Sequence, residues 1–119
     1  MKALKNSLIK NFKSYGFAIN GIRHVIGHEN NIKYQTLAAI TIIIIGLYLD
    51  LTLMKWVVIT LCIGLVLMAE LFNSAIEKIV NLINPKYSKE AGLIKDIAAG
   101  AVLIIATSTL IVAVLILFF

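Results

Sequence analysis

From Ile97 to Phe119 the chain carries no charged residue, and an uninterrupted apolar run of that length dictates its own surroundings. About 20 apolar residues in helical form cross the hydrocarbon of a bilayer. Composition points the same way: the 119 residues are 61% hydrophobic, against about 45–50% apolar in a soluble domain. So short a chain has too little interior to bury that much apolar surface around a core of its own, so lipid must cover the remainder. Two further spans precede this one, giving expected limits of about 34–49, 55–82 and 97–119. The first is shorter than the usual ~20 residues, and its polar flanks must reach into the interface. Asp50-Leu51-Thr52 is a tight connection, and Asn84-Pro85 marks the second break, because Pro stops a helix and biases the residue before it away from helical torsions.

Ahead of the spans, Leu4, Leu8, Phe12, Tyr15, Ile19, Ile22 and Ile26 recur at steps of four and three, the spacing of one apolar stripe on a helix. Lys2, Lys10 and Lys13 occupy the polar side, as in a helix lying in the headgroup layer. Residues 1–32 therefore read as an amphipathic interfacial segment, with Gly16 and Gly21 as points where it could break. The expected fold is all-α: one integral membrane domain over residues 1–119, with a surface helix and three transmembrane helices. Basic residues cluster before the first span and between the second and third, while Lys55 alone follows the first. By the positive-inside rule the amino terminus and second connection are cytoplasmic. The net charge of +5 is explained by this topology and by attraction to lipid, and no aromatic-basic surface argues for nucleic acid. No cleavable signal is expected, since the first apolar run begins far behind a charged terminus. Cys62, the sole cysteine, rules out an intrachain disulfide and a thiol–metal cluster.

Chemistry enters at Glu70-Leu71-Phe72-Asn73-Ser74-Ala75-Ile76-Glu77, where an uncharged run from Trp56 to Ala69 ends. At 3.6 residues per turn, Glu70, Asn73, Ser74 and Glu77 fall on one stripe. Ionisable groups near hydrocarbon must face a partner or a cavity, so this stripe reads as a cation or proton site. Glu29, in Gly27-His28-Glu29-Asn30-Asn31, stands at a similar depth on the cytoplasmic edge. His24 and His28 are four apart beside it, but two histidines without a third ligand or a His-Glu-x-x-His pattern make a weak zinc site. A solvated helix face is the better account of them.

The run Glu70-x-x-Asn73-Ser74-Ala75-Ile76-Glu77, with Lys95-Asp96 and Gly100-Ala101 behind it, resembles the prokaryotic diacylglycerol kinase family, which includes the undecaprenol kinases. The similarity extends from about Tyr15 to Ile105. It implies a homotrimer of three-span subunits in the bacterial inner membrane, with active sites between subunits. It also implies transfer of the γ-phosphate of ATP to a lipid alcohol, in phospholipid metabolism, with magnesium (Mg2+) as cofactor. On this resemblance Glu70 is the general base and contacts the lipid together with Ser74, and Asn73 orients the reacting groups. Glu29 and Glu77 hold the metal and bind ATP, and Lys95 and Asp96 also bind the nucleotide. Physical chemistry accommodates these roles. Phosphoryl transfer needs positioning and charge neutralisation above all, and magnesium takes one or two carboxylates together with substrate phosphates. No Walker loop or kinase glycine-rich loop is present.

Two positions depart from the family pattern. Asn81 stands where the signature usually continues to Asp, and Gln35 where members carry Glu or His. The run His28-Glu29-x-Asn31-x-Lys33-x-Gln35 resembles the undecaprenol kinases somewhat more than the diacylglycerol enzymes. A small proton-coupled transporter is the competing class, but such proteins carry their acid in the first span and use a fourth. A purely structural membrane subunit leaves the acidic stripe and Lys95-Asp96 without a role. Because a charge facing lipid costs a few kcal/mol, Glu70 and Glu77 need cover. Small residues at Ala98, Ala99, Gly100, Ala101 and Ala106 allow close approach of a neighbouring helix to provide it.

Overall fold

The computed structural model describes Met1–Phe119 as four helices: α1 Lys2–His28, α2 Asn30–Tyr48, α3 Leu53–Ile83 and α4 Lys89–Phe118. The last three are long and apolar enough to cross a membrane. The molecule measures 54 × 47 × 20 Å, a slab too wide for a simple bundle, so α1 projects sideways from the three long helices. Only 12 residues are buried, and large apolar side chains such as Leu61, Leu103 and Leu110 are exposed along the spans. A lone chain cannot keep such a surface in water.

Each corner has an identifiable cause. Glu29 adopts φ −106° and ψ 124°, and its N–H still donates to the Val25 carbonyl. One extended residue therefore ends α1 and starts α2, so the first helix stops at His28, four residues before the limit of 32 expected for the amino-terminal segment. Gly16 and Gly21 do not interrupt α1, which is continuous through both; a single Gly costs only about 1 kcal/mol in a helix. At the second corner Asp50 takes φ 50°, a left-handed conformation that Asp tolerates better than most residues. Gly46 fits closely there: a Cβ would meet Leu51 Cδ1 and Trp56 Cη2 at 3.0 Å, so both side chains would have to give way. The third corner follows Asn84-Pro85. Asn84 Nδ2 donates to Ser88 Oγ at 2.9 Å, and Ser88 Oγ accepts from the Ala91 N–H at 3.1 Å, capping α4.

That cap starts α4 at Lys89, about two turns before the expected limit at 97, and α2 likewise starts at Asn30 and not at 34. Hydropathy marks where lipid begins, whereas capping groups mark where a helix begins. Antiparallel α3 and α4 form the most extensive packing, with α2 laid on α3. The pair is tied at both ends: Lys55 Nζ donates to the Ile116 carbonyl at 2.9 Å, and Lys95 Nζ to Asn81 Oδ1 at 2.6 Å.

Candidate active site

The polar stripe of α3 turns inward. Glu70, Asn73 and Ser74 are 3%, 8% and 3% exposed, while Met68 and Phe72 on the opposite face are exposed. An ionisable group this deep on an apolar helix requires a polar partner, and α2 supplies it: Gln35 Nε2 donates to Glu70 Oε1. One turn further along α3, Asn73 Nδ2 donates to Glu77 Oε1 at 3.4 Å. Gln35, Glu70 and Asn73 line a cavity of about 340 Å³ together with Asn31, Tyr34 and apolar side chains of α4. A second, apolar cavity of about 220 Å³ adjoins it, sharing Gln35 and Ala106 and running past Ile42 and Thr109.

The polar lining mixes donors and acceptors, Asn31 and Tyr34 beside Glu70, and unpartnered acceptors lie just behind it. Gln35 Oε1 and Asn73 Oδ1 are buried without a hydrogen-bond partner, and the Gln35 bond leaves the second Glu70 oxygen free. Glu29 and Glu77 lie close enough to act on Glu70 through space, and both are negative. The corner between α1 and α2 carries Glu29, whereas Glu70 and Glu77 ride the same face of α3, and no three acidic side chains converge into a metal-binding group. The complement of such a cavity is a hydroxyl that donates, a cation, or both. Two carboxylates and amide oxygens are hard donors suited to magnesium.

The remaining expected residues stand apart. Lys95 is partly exposed and held by Asn81, near the Glu77 end of the stripe. Asp96 is exposed on α4 and is not drawn into the carboxylate cluster. His24 and His28 are exposed, with rings stacked at 4.2 Å and His28 Nδ1 2.7 Å from the His24 carbonyl.

Residues 16–117 match the family described as prokaryotic diacylglycerol kinase. The chain belongs to this family. Undecaprenol kinase of Bacillus subtilis (strain 168) is 38% identical over 112 residues, spanning 94% of this chain and 91% of that protein. Diacylglycerol kinase of Escherichia coli (strain K12) is 31% identical over 92 residues, 77% of this chain and 75% of its own. Diacylglycerol kinase of Synechocystis is 32% identical over 100 residues, 83% of this chain and 57% of its own length. As a prokaryotic diacylglycerol kinase family member, the chain is a membrane phosphotransferase with an alcohol acceptor. The family match runs past Ile105 almost to the end of α4.

Two contacts of this family member escape its motif. Gln35 reaches Glu70 from 35 residues away, and Asn81 reaches Lys95 from 14. A polar side chain at the start of an apolar span was the available signal for Gln35, since such residues face a protein interior. Nothing local to Asn81 announces its partner.

Proposed function

We propose that this chain is an ATP-dependent lipid kinase that transfers the γ-phosphate to the hydroxyl of a membrane lipid alcohol, with undecaprenol favoured over diacylglycerol. The observation that carries this reading is the cavity lined by Gln35, Glu70 and Asn73, in which the buried Glu70 carboxylate is held by Gln35. The lipid hydroxyl donates to the free oxygen of Glu70, which takes its proton as the oxygen attacks the γ-phosphorus. The bond from phosphorus to the bridging oxygen breaks, and ADP leaves. Gln35 fixes the carboxylate, Asn73 and Ser74 orient the hydroxyl, and the lipid chain lies along the adjoining apolar cavity. Glu29 and Glu77 would hold magnesium, which when bound neutralises phosphate charge. Lys95 and Asp96 contact the nucleotide. The preference for undecaprenol rests on similarity to the Bacillus subtilis enzyme, which extends over nearly the whole of both chains.

Topology fits the same reading. The site lies at the cytoplasmic face of the inner membrane, where ATP is available, with α1 in the headgroup layer and the amino terminus cytoplasmic. Outward-facing Ala99 and Ala101 on α4 leave room for close helix contact, and the assembly is a homotrimer whose sites are completed by neighbours. The test is phosphorylation of undecaprenol and diacylglycerol, in parallel, by purified protein in detergent with magnesium-ATP. Lipid phosphate is the expected product, formed faster from undecaprenol. Absence of product from both alcohols would overturn the proposal.

A further inference from the structure

Asn81 stands four residues beyond Glu77, so it extends the stripe of Glu70, Asn73 and Glu77 by one turn towards the corner between α3 and α4. Its Oδ1 accepts from Lys95 Nζ at 2.6 Å, a short bond from a charged donor. The corner beneath them is pinned by Asn84, Ser88 and the Ala91 N–H, so the two helices present Asn81 and Lys95 in a fixed relation. An ammonium has three donors, and one is engaged here. The acceptor is neutral. A carboxylate at this position would hold the ammonium equally well but cancel its charge and add a negative group beside bound phosphates.

We infer that Asn81 is a positioning residue: it orients the Lys95 ammonium for the nucleotide phosphates while leaving that charge uncompensated. The inference rests on the lipid-kinase reading for the identity of the ligand. A lysine is a point charge on a flexible stem, and ordering it before the nucleotide arrives removes an entropic cost of binding. Asn81 acts on nucleotide affinity, not on the chemical step at Glu70, because its only side-chain partner is Lys95.

The experiment compares wild type, Asn81→Asp and Asn81→Ala in detergent. The readouts are equilibrium binding of magnesium-ATP, KM for ATP, KM for the lipid alcohol, kcat and thermal unfolding. Asn81→Asp is expected to weaken ATP binding and raise its KM about fivefold at low salt, the scale of one exposed ion pair. The effect should shrink to about twofold or less near 0.5 M salt, where charges are screened within a few ångströms. Asn81→Ala, which frees the lysine without neutralising it, should raise KM for ATP about threefold with little dependence on salt, as expected for loss of one modest hydrogen bond. In both variants kcat and KM for the lipid should stay within about twofold, a split that a merely structural bridge between helices would not produce. ATP affinity unchanged in either variant overturns the inference, as does a parallel loss of kcat, lipid affinity and thermal stability. Wild-type protein that phosphorylates no lipid overturns the proposed function instead, and magnesium-ATP binding still reports on Asn81.

Discussion

Glu70→Gln separates the charge of the cluster from its shape. The new side chain is nearly isosteric, and its carbonyl oxygen accepts from Gln35 Nε2 where Glu70 Oε1 does now. Its amide hydrogens face the cavity that Asn31, Tyr34 and Asn73 also line, so the substitution leaves no donor stranded in an apolar wall. It also removes the repulsion between Glu70 and the carboxylates of Glu29 and Glu77. The variant should therefore unfold at or above the wild-type temperature. Proton acceptance is what it loses, and a general base contributes roughly 10²–10⁴-fold. At about 1.36 kcal/mol per tenfold, that is a barrier higher by roughly 3–5 kcal/mol. The assay is lipid phosphate formed per minute at saturating ATP and lipid alcohol, alongside thermal unfolding followed through Trp56, the sole tryptophan. A rate within tenfold of wild type would remove Glu70 from the role of base. Lost activity accompanied by a lower unfolding temperature would show that the charge serves the fold.

Glu29→Ala and Glu77→Ala should each raise the magnesium concentration for half-maximal activity about tenfold or more, the usual scale for disturbing a metal site; a normal magnesium titration in either variant dismisses that carboxylate as a ligand. Gly46→Val forces a branched side chain against Leu51 and Trp56, where even a Cβ meets atoms at 3.0 Å. It should destabilise by about 1–3 kcal/mol, read as a lower unfolding temperature, and unchanged stability would mean the corner between α2 and α3 yields freely. Mixing inactive Glu70→Gln and Lys95→Ala subunits before assembly should restore part of the activity if the two residues serve one site from different subunits. No recovery in the mixed assemblies would place both in one chain.

Much of the fold is legible in the sequence because lipid imposes a simple rule on each span. The breaks at Asp50–Thr52 and Asn84–Pro85 carry residues that resist helical torsions or cap helices, and both lie where the helices change. The early start of α4 is not legible from hydropathy, because Lys89, Glu90, Lys95 and Asp96 are as polar as a loop. Only the Ser88 cap with its Asn84 support fixes the boundary. For the site, Glu70, Asn73 and Glu77 reveal themselves by helical spacing. The approach of Gln35 depends on how α2 leans on α3, and that is set by packing between distant segments, which spacing along one helix does not encode.

The length of α3 has a consequence for where the two substrates meet. At about 1.5 Å per residue, Glu70 lies roughly 26 Å along the axis from Leu53, close to the ~30 Å thickness of the hydrocarbon layer. The helix then continues for more than three further turns, to Ile83. On the proposed lipid-kinase reading, the stretch before Glu70 would work as a measuring rod planted in the far leaflet, setting the carboxylate at the depth where a lipid hydroxyl emerges from its chains. The stretch beyond is a mast carrying Glu77 and Asn81 towards the water. Bilayer thickness would on that reading become a reaction variable: a membrane a few ångströms too thick would draw the rod inward and separate the water-borne substrate from the lipid-borne one.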